Sequence, residues 1–309
     1  FTLYSLLYTI IMSEFERRTN YRTQIEQQLL KNKLQLDSLN YEGSQLKPNF
    51  KTSLDNTYET PDPSAKIFYF DIDNTLYRRS TGIQEMMQDA IYHYVTNELS
   101  IPPQTANHIM NTYYKQYGLM AAGLVQNFNI DPLKYNTMVD DSLDIGNLLK
   151  PDLKLREMLL QLKRDNGIDK LWLCTNAYVN HAVRWIKLLG IADLFDGITF
   201  TQYDTLDREI ICKPDHRFFE RVKRESGLSD WSNAFFIDDS FANIQSAITL
   251  GMAKCFLVTE TKSDDGKLLN KLDSIDDPSD MEKLKGLPRN VVTINSVLDL
   301  SKVEPDLFA

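Results

Sequence analysis

The chain is 309 residues long, enough to bury a large core in one big domain or two modest ones. Hydrophobic residues make up 42% and charged residues 25%, the mixture of a soluble globular enzyme. The formal net charge of −9 excludes a general affinity for nucleic acid or an anionic membrane, so any anion must be bound at a local site.

In chain order, residues 1–11 (FTLYSLLYTII) are apolar, too short to span a bilayer, and without the positive flank and small-residue cleavage site of a secretory signal. Met12 follows, and residues 1–11 are expected to lie outside the native chain. From Glu14 to about Leu39, the residues Ile25, Leu29, Leu36 and Leu39 line one face of a helix, which is expected to pack on the main body. Residues 40–65, with Pro48, Pro61 and Pro63, read as a connecting segment without a core of its own. After it, short apolar runs (KIFYF, KLWLC, GITF, AFFI, KCFLV and a last VVTI) are separated by helical patterns such as HAVRWIKLLG and NIQSAITLG. Strands alternating with helices predict parallel pairing through right-handed crossovers, hence an α/β fold with a Rossmann-like parallel sheet, and ligands at the carboxyl ends of the strands.

Between KIFYF and KLWLC the chain is helical in pattern (QEMMQDAIYHYVTNEL, PQTANHIMNTYYKQYG, DPLKYNTMVDDSL), which predicts an inserted helical domain at 83–150, standing over the strand ends from which it emerges. The expected layout is a helix and linker at 1–65, a catalytic core at 66–82 with 151–309, and the insertion. The acidic, lysine-bearing stretch 262–285 is expected to be a solvated excursion before the last strand.

Cys174, Cys212 and Cys255 lie far apart with no CxxC pair, which suggests neither a disulfide framework nor a zinc site and fits a reducing cytosol. His93, His108, His181 and His216 show no metal-ligand spacing and read as surface or core histidines.

The chemistry sits where strands end. In FYFDIDNTLY (68–77), Asp71 and Asp73 are one residue apart, and in extended chain i and i+2 point the same way. Two carboxylates ~4 Å apart repel by about 1 kcal/mol in water and roughly 4 kcal/mol at an effective dielectric near 20, so a cation is expected between them. A helix cap formed by Asp73-Asn74-Thr75 is the alternative. KLWLC closes on Thr175-Asn176, which could seat an anion or simply cap the next helix. Lys213-Pro214 opens the pattern PDHRFFERVKRESG with proline in a favoured first-turn position. A lysine at the positive end of a helix is misplaced unless an anion is present. AFFIDDS ends in Asp238 and Asp239. Four carboxylates at strand ends call for a multivalent hard cation, and oxygen ligands suit Mg²⁺. Acid pair, Thr-Asn, Lys and acid pair together form a device for phosphoryl transfer.

DIDNTLY, LCTNA, CKP and FIDDS, in this order, resemble the four motifs of the haloacid dehalogenase (HAD) superfamily, and the insertion is similar to that family's helical C1 cap. Longer runs, including NTYYKQYGL, YNTMVDDSL and KLWLCTNAYVNHAVRWIKLLGIADLFDGITF, resemble fungal pyrimidine 5′-nucleotidases and a phosphate-starvation paralogue associated with nucleotidase and lysophosphatidate phosphatase activity. The resemblance implies that Asp71 attacks phosphorus and Asp73 is general acid and base, while Thr175, Asn176 and Lys213 hold phosphoryl oxygens. It further implies Mg²⁺ on the Asp71 carboxylate, the Asp73 backbone carbonyl and Asp239, with Asp238 nearby and Asn243 bracing the acidic loop. Neighbouring carboxylates are expected to keep Asp73 protonated, and the presence of that second acid argues for phosphoester hydrolysis over carbon–halogen cleavage.

The implied enzyme is a cytoplasmic or nuclear phosphomonoesterase acting on a small-molecule substrate, UMP and CMP first. It has no nucleic acid polymer as partner, no membrane insertion and no obligate protein partner. Substrate choice is expected from the insertion and from Arg78, Arg79 and Ser80. Tyr113, Tyr114 and Tyr117 are available to stack on a base, although tyrosines at helical spacing more often fill interfaces. A receiver-type signalling domain also gathers acids, Thr and Lys around Mg²⁺, but the order of elements and the large insertion argue against it.

Overall fold

A computed structural model describes residues 2–55, 58–165, 167–205, 209–261 and 287–308, so the stretch 262–285 lies outside the described residues. Helices α1 (Thr2–Asp37), α2 (Ile83–His93), α3 (Pro103–Tyr117), α4 (Met120–Phe128), α5 (Pro132–Val139), α6 (Leu153–Asp165), α7 (Val179–Leu188), α8 (His216–Ser226) and α9 (Phe241–Leu250) accompany seven strands. These are β1 (Lys51–Thr52), β2 (Ile67–Phe70), β3 (Lys170–Cys174), β4 (Gly197–Thr199), β5 (Ala234–Asp238), β6 (Lys254–Val258) and β7 (Val291–Ile294). All are parallel, in the order β1-β4-β3-β2-β5-β6-β7.

The six apolar runs of the sequence are β2 to β7. Strand β2 is central, between β3 and β5, and its four residues are fully buried. That is why it reads as an unbroken apolar run and not as an alternation. Phe68 and Phe70 stack on one face at 4.4 Å. On the other, Ile67 and Tyr69 join Trp172, Phe218, Phe219 and Phe236 in a core closed by α8 and α9. The Tyr69 hydroxyl meets Ser226 Oγ at 2.7 Å, so its polar tip is satisfied inside that core.

The segment 40–65 is more than a connection. It supplies β1, which pairs with β4 through Lys51 with Gly197 and Thr52 with Ile198. Tyr41 donates its hydroxyl to the carbonyls of Lys187 and Leu188, Glu59 pairs with Lys51 and Lys170, and Ser53 donates to the buried Glu225 at 2.7 Å. A two-residue strand has no periodicity to read, so the sequence shows only the prolines around it.

The chain divides into two compact units. One holds Asn40–Thr81, Leu149–Gln202 and Ile211–Ala309, and with them the sheet. The other holds Phe1–Leu39, Gly82–Leu148 and Tyr203–Ile210. Helix α1, expected to pack on the main body, falls in one unit with the inserted helices. Hydrophobic spacing shows that a helix has a buried face but not what covers it. Here Asn32, buried, donates to the carbonyls of Asp141 (2.8 Å) and Leu143 (3.0 Å), Lys31 pairs with Asp144, and Arg22 Nε donates to Glu98 at 2.9 Å. Tyr113 lies so close to Gly123 that a Cβ there would meet its ring at 2.5 Å. That ring is committed to packing between α3 and α4.

Glu98 is the electrostatic centre of the helical unit. Burial pushes its carboxyl up, but hydrogen bonds and charge from Arg22 and Lys134 outweigh this and hold it down at about 2. A depressed carboxyl contributes stability that is present above its unfolded value near 4.5 and fades as pH falls toward 2. Both partners are about half exposed, so the effect is discounted to about 1 kcal/mol. Glu98→Gln is expected to lower the melting temperature at neutral pH, with the gap to the parent closing between about pH 5 and pH 2.5. Far-ultraviolet circular dichroism is the readout, because Trp172, Trp185 and Trp231 all lie in the other unit.

Candidate active site

The register of β2 against β3 and β5 pairs Phe70 with Leu173 and Ile237, which sets Asp71 beside the ends of both neighbours. Its own N–H continues the ladder to the Ile237 carbonyl at 3.0 Å. Beyond Asp71 the strand stops: the N–H groups of Thr75 and Leu76 both return to the Ile72 carbonyl, and Asn74 adopts a left-handed φ of 55°. This turn overrides the i, i+2 alignment expected of an extended segment, and the two aspartates take different partners.

Asp71 is buried and accepts from Lys213 Nζ on Oδ1 at 2.8 Å and from Thr75 Oγ1 on Oδ2 at 3.2 Å. The Lys213 ammonium, 1% exposed, also donates to Asp238 Oδ2 at 2.6 Å and to the Cys174 carbonyl at 2.7 Å. Three acceptors satisfy its three protons. Burial alone would lower the pKa of Lys213, but Asp238 and Asp71 raise it well above the ordinary lysine value and keep the ammonium charged. Asp238, fully buried, is further held by the Ser240 N–H (2.8 Å) and by Asn243 Nδ2, which reaches both its oxygens at 2.9 and 3.0 Å. Asp239 accepts from Asn74 Nδ2 at 3.1 Å. One carboxylate oxygen each from Asp71, Asp238 and Asp239 lies within 4.8 Å of the others.

Asp73 stands apart from that group. Its Oδ1 accepts from the Tyr77 hydroxyl at 2.6 Å and faces His181 Nε2 at 2.9 Å. Burial pushes the Asp73 carboxyl up, but His181 and Tyr77 outweigh it and leave it below the usual range. For Asp71 the balance is reversed: burial first, then the negative charges of Asp238 and Asp73, prevail over Lys213 and raise it to about 7. Among protein groups alone, then, Asp71 and not Asp73 is the carboxyl that leans toward protonation, contrary to the expectation from sequence. The reason is the pair of donors on Asp73, neither of which carried a visible signal. Tyr77 is an aromatic after a turn, and His181 is one of four histidines without ligand spacing.

Two other expectations shift. Asn176 does not present a free amide, because its Oδ1 accepts from the Lys213 N–H (2.8 Å) and its Nδ2 donates to the Lys213 carbonyl (3.0 Å). It fixes the main chain that carries the ammonium. Lys213 precedes its helix, since α8 begins at His216 with Asp215 as its cap. Thr175 is fully buried at the end of β3 and accepts from the Ala177 N–H on Oγ1. Arg78 and the Ser80 hydroxyl are both turned to Glu260 and so are engaged within the sheet unit.

Three carboxylates lie close together with one ammonium shared by Asp71 and Asp238, and burial, followed by the charges of Asp238 and Asp73, raises Asp71 to about 7. An all-oxygen donor set of this kind fits a small hard cation.

Residues 65–251 match the family model described as haloacid dehalogenase-like hydrolase. The chain is 49% identical over 239 residues to Phosphate metabolism protein 8 of Saccharomyces cerevisiae, spanning 76% of this chain and 74% of that one. Among solved structures it is similar to a HAD phosphatase from Thermococcus onnurineus at 17% identity and a TM-score of 0.49, covering 79% of this chain and 100% of that chain. It is also similar to the L-2-haloacid dehalogenase of Xanthobacter autotrophicus, at 16% identity and a TM-score of 0.46, covering 77% and 98%.

Removing the ammonium while keeping the shape tests the electrostatic account. Lys213→Met leaves Asp71 and Asp238 buried without their cation and is expected to cost about 3 kcal/mol at neutral pH. The loss shrinks as pH falls and the carboxyls take up protons. Urea denaturation at two pH values checks this, and an unchanged midpoint would refute it.

Proposed function

The chain belongs to the haloacid dehalogenase-like hydrolases, an enzyme of phosphatase type, and we propose that it is a Mg²⁺-dependent phosphomonoesterase acting on nucleoside 5′-monophosphates, UMP and CMP first. The observation that carries the reading is the sharing of Lys213 Nζ by Asp71 and Asp238, with Asp239 in the same group. It supplies a carboxylate nucleophile, a fixed positive charge for phosphoryl oxygens, and oxygen ligands, all at the ends of β2, β3 and β5.

Asp71 attacks phosphorus and forms an aspartyl-phosphate, which water then hydrolyses. Asp73, two residues on and held outside the carboxylate group, gives a proton to the leaving oxygen and takes one from the water. Lys213 and the Thr175 hydroxyl hold phosphoryl oxygens, and Asn176 acts through Lys213. Asp71, Asp239 and the Asp73 carbonyl would hold Mg²⁺. Asp238 is its neighbour, because all its oxygens already receive protein donors. When bound, the ion neutralises phosphoryl charge and favours the ionised form of Asp71.

The nucleotide preference rests on the resemblance of the runs quoted above. The second reading, a broader phosphatase for lysophosphatidate or sugar phosphates, gains from the packing of Tyr113 against Gly123, which takes one ring out of the set available for base stacking. Burial pushes the three free thiols up, Cys174 to about 12, Cys212 to about 11 and Cys255 to about 12, so they stay protonated. This supports a structural use of the three thiols. Among the described residues no helix is long and apolar enough to cross a membrane.

Phosphate release from UMP, CMP, IMP, a lysophosphatidate and a hexose phosphate, with Mg²⁺ or with a chelator, is expected to show pyrimidine nucleotides turned over at least about tenfold faster than the rest, and only with the metal. Equal turnover of all five would transfer the assignment to the broader reading. Asp71→Asn is expected to reduce turnover by more than about 10³-fold while leaving the circular dichroism spectrum unchanged, and activity surviving it would refute the nucleophile.

A further inference from the structure

Asp73 is gripped on one side only. Tyr77 and His181 both meet Oδ1, and among the described residues no donor is directed at Oδ2. The grip is rigid. Tyr77 is buried and sits four residues on, across the turn that Ile72 closes. His181, 2% exposed in the first turns of α7, stacks flat on Trp185 with centroids 3.6 Å apart and planes at 16°. We propose that Tyr77 and His181 form a two-donor clamp that fixes the Asp73 rotamer and reserves Oδ2 as the one oxygen that carries the transferred proton.

This rests on the proposed phosphatase reading and adds the positioning residues of its acid. A carboxylate accepts only, so both groups facing Oδ1 act as donors toward it. With two donors on Oδ1, an added proton goes to Oδ2, the oxygen left for the reacting ester. As the Asp71–phosphorus bond forms and the bond from phosphorus to the leaving oxygen breaks, the proton on Oδ2 passes to that oxygen. In the second half, the water oxygen bonds to phosphorus, the Asp71–phosphorus bond breaks, and a water proton returns to Oδ2. Tyr77 and His181 keep their own protons throughout. Burial and the charge of Asp73 hold the Tyr77 hydroxyl far above its ordinary value, in keeping with that role.

A bland role is open to His181 as a ring packed on Trp185, and the test separates the two. His181→Phe keeps the stacked ring and removes the N–H, while Tyr77→Phe removes the hydroxyl. Each is assayed with Mg²⁺ on UMP, whose leaving alkoxide needs a proton, and on p-nitrophenyl phosphate, whose leaving phenolate does not. The ratio of the two kcat/KM values is the readout, because it reports only steps through departure of the leaving group. Both values are expected to fall, with the UMP value falling further, so that the ratio drops at least about fivefold in either folded variant, a modest part of the 10²- to 10⁴-fold of a general acid. A smaller change in the ratio overturns the clamp, whatever the common loss. If one variant fails to fold, the other answers alone. Asp71→Asn, run alongside, distinguishes the two failures. Turnover surviving in it sinks the phosphatase mechanism itself, whereas an inactive Asp71→Asn with an unmoved ratio in the clamp variants sinks the clamp alone.

Discussion

The structure turns on one buried ammonium. Lys213 comes from a loop before α8 and binds Asp71 after β2, Asp238 at the end of β5 and the last carbonyl of β3. Three adjacent strands are thereby tied at their carboxyl ends by a single charge with no access to water. Buried ion pairs seldom improve on well-packed apolar groups, because desolvation cancels most of the attraction. Their retention here is therefore better explained by chemistry than by stability. The surroundings support this: Asn176 clamps both main-chain groups of Lys213, and Asn243 and Ser240 hold Asp238, so the cluster has few ways to relax.

The parallel sheet explains why the groups meet at all. Consecutive strands of one direction send all their carboxyl ends to one edge, so residues more than a hundred positions apart in sequence arrive side by side. Within that edge the turn after Asp71 performs a separation. Asp71 stays in the carboxylate cluster, where burial and like charge push it to about 7. Asp73 leaves it for two donors and falls below the usual range. Two carboxyls from one short motif are given opposite environments, and among protein groups alone these run counter to the proposed roles, so an ionised Asp71 calls for a cation beside it and Asp73 must take up its proton against the pull of its two donors.

Much of the fold was legible because its strands are buried on both faces. IFYF, LWLC, AFFI and CFLV are apolar throughout, a pattern that a half-exposed strand could not show, and their spacing leaves room for helices and little else. The edge strand Lys51–Thr52 was not legible, since two residues carry no period. The partner of α1 was hidden for another reason. Ile25, Leu29 and Leu36 mark a covered face, but the residues that select the cover are polar. Asn32 and Arg22 find carbonyls and a carboxylate that lie scores of positions away, and no local pattern announces such a match.

At the site the same contrast holds between what adjacency encodes and what a turn rearranges. Asp71, Asp238 and Asp239 could be placed together from strand ends alone, because strand direction dictates where a strand's last residue goes. Asn176 could be placed near Lys213 but not given its task, since an amide at a strand end serves an anion or a backbone equally well until the loop opposite is seen. Tyr77 and His181 were invisible as a pair: one is reached through a turn that breaks the period of the strand, and the other from a helix that follows a different strand. Residues whose function is to aim another side chain need only one atom at the right distance. Many residue types at many positions can provide that atom, so composition and spacing leave them unmarked.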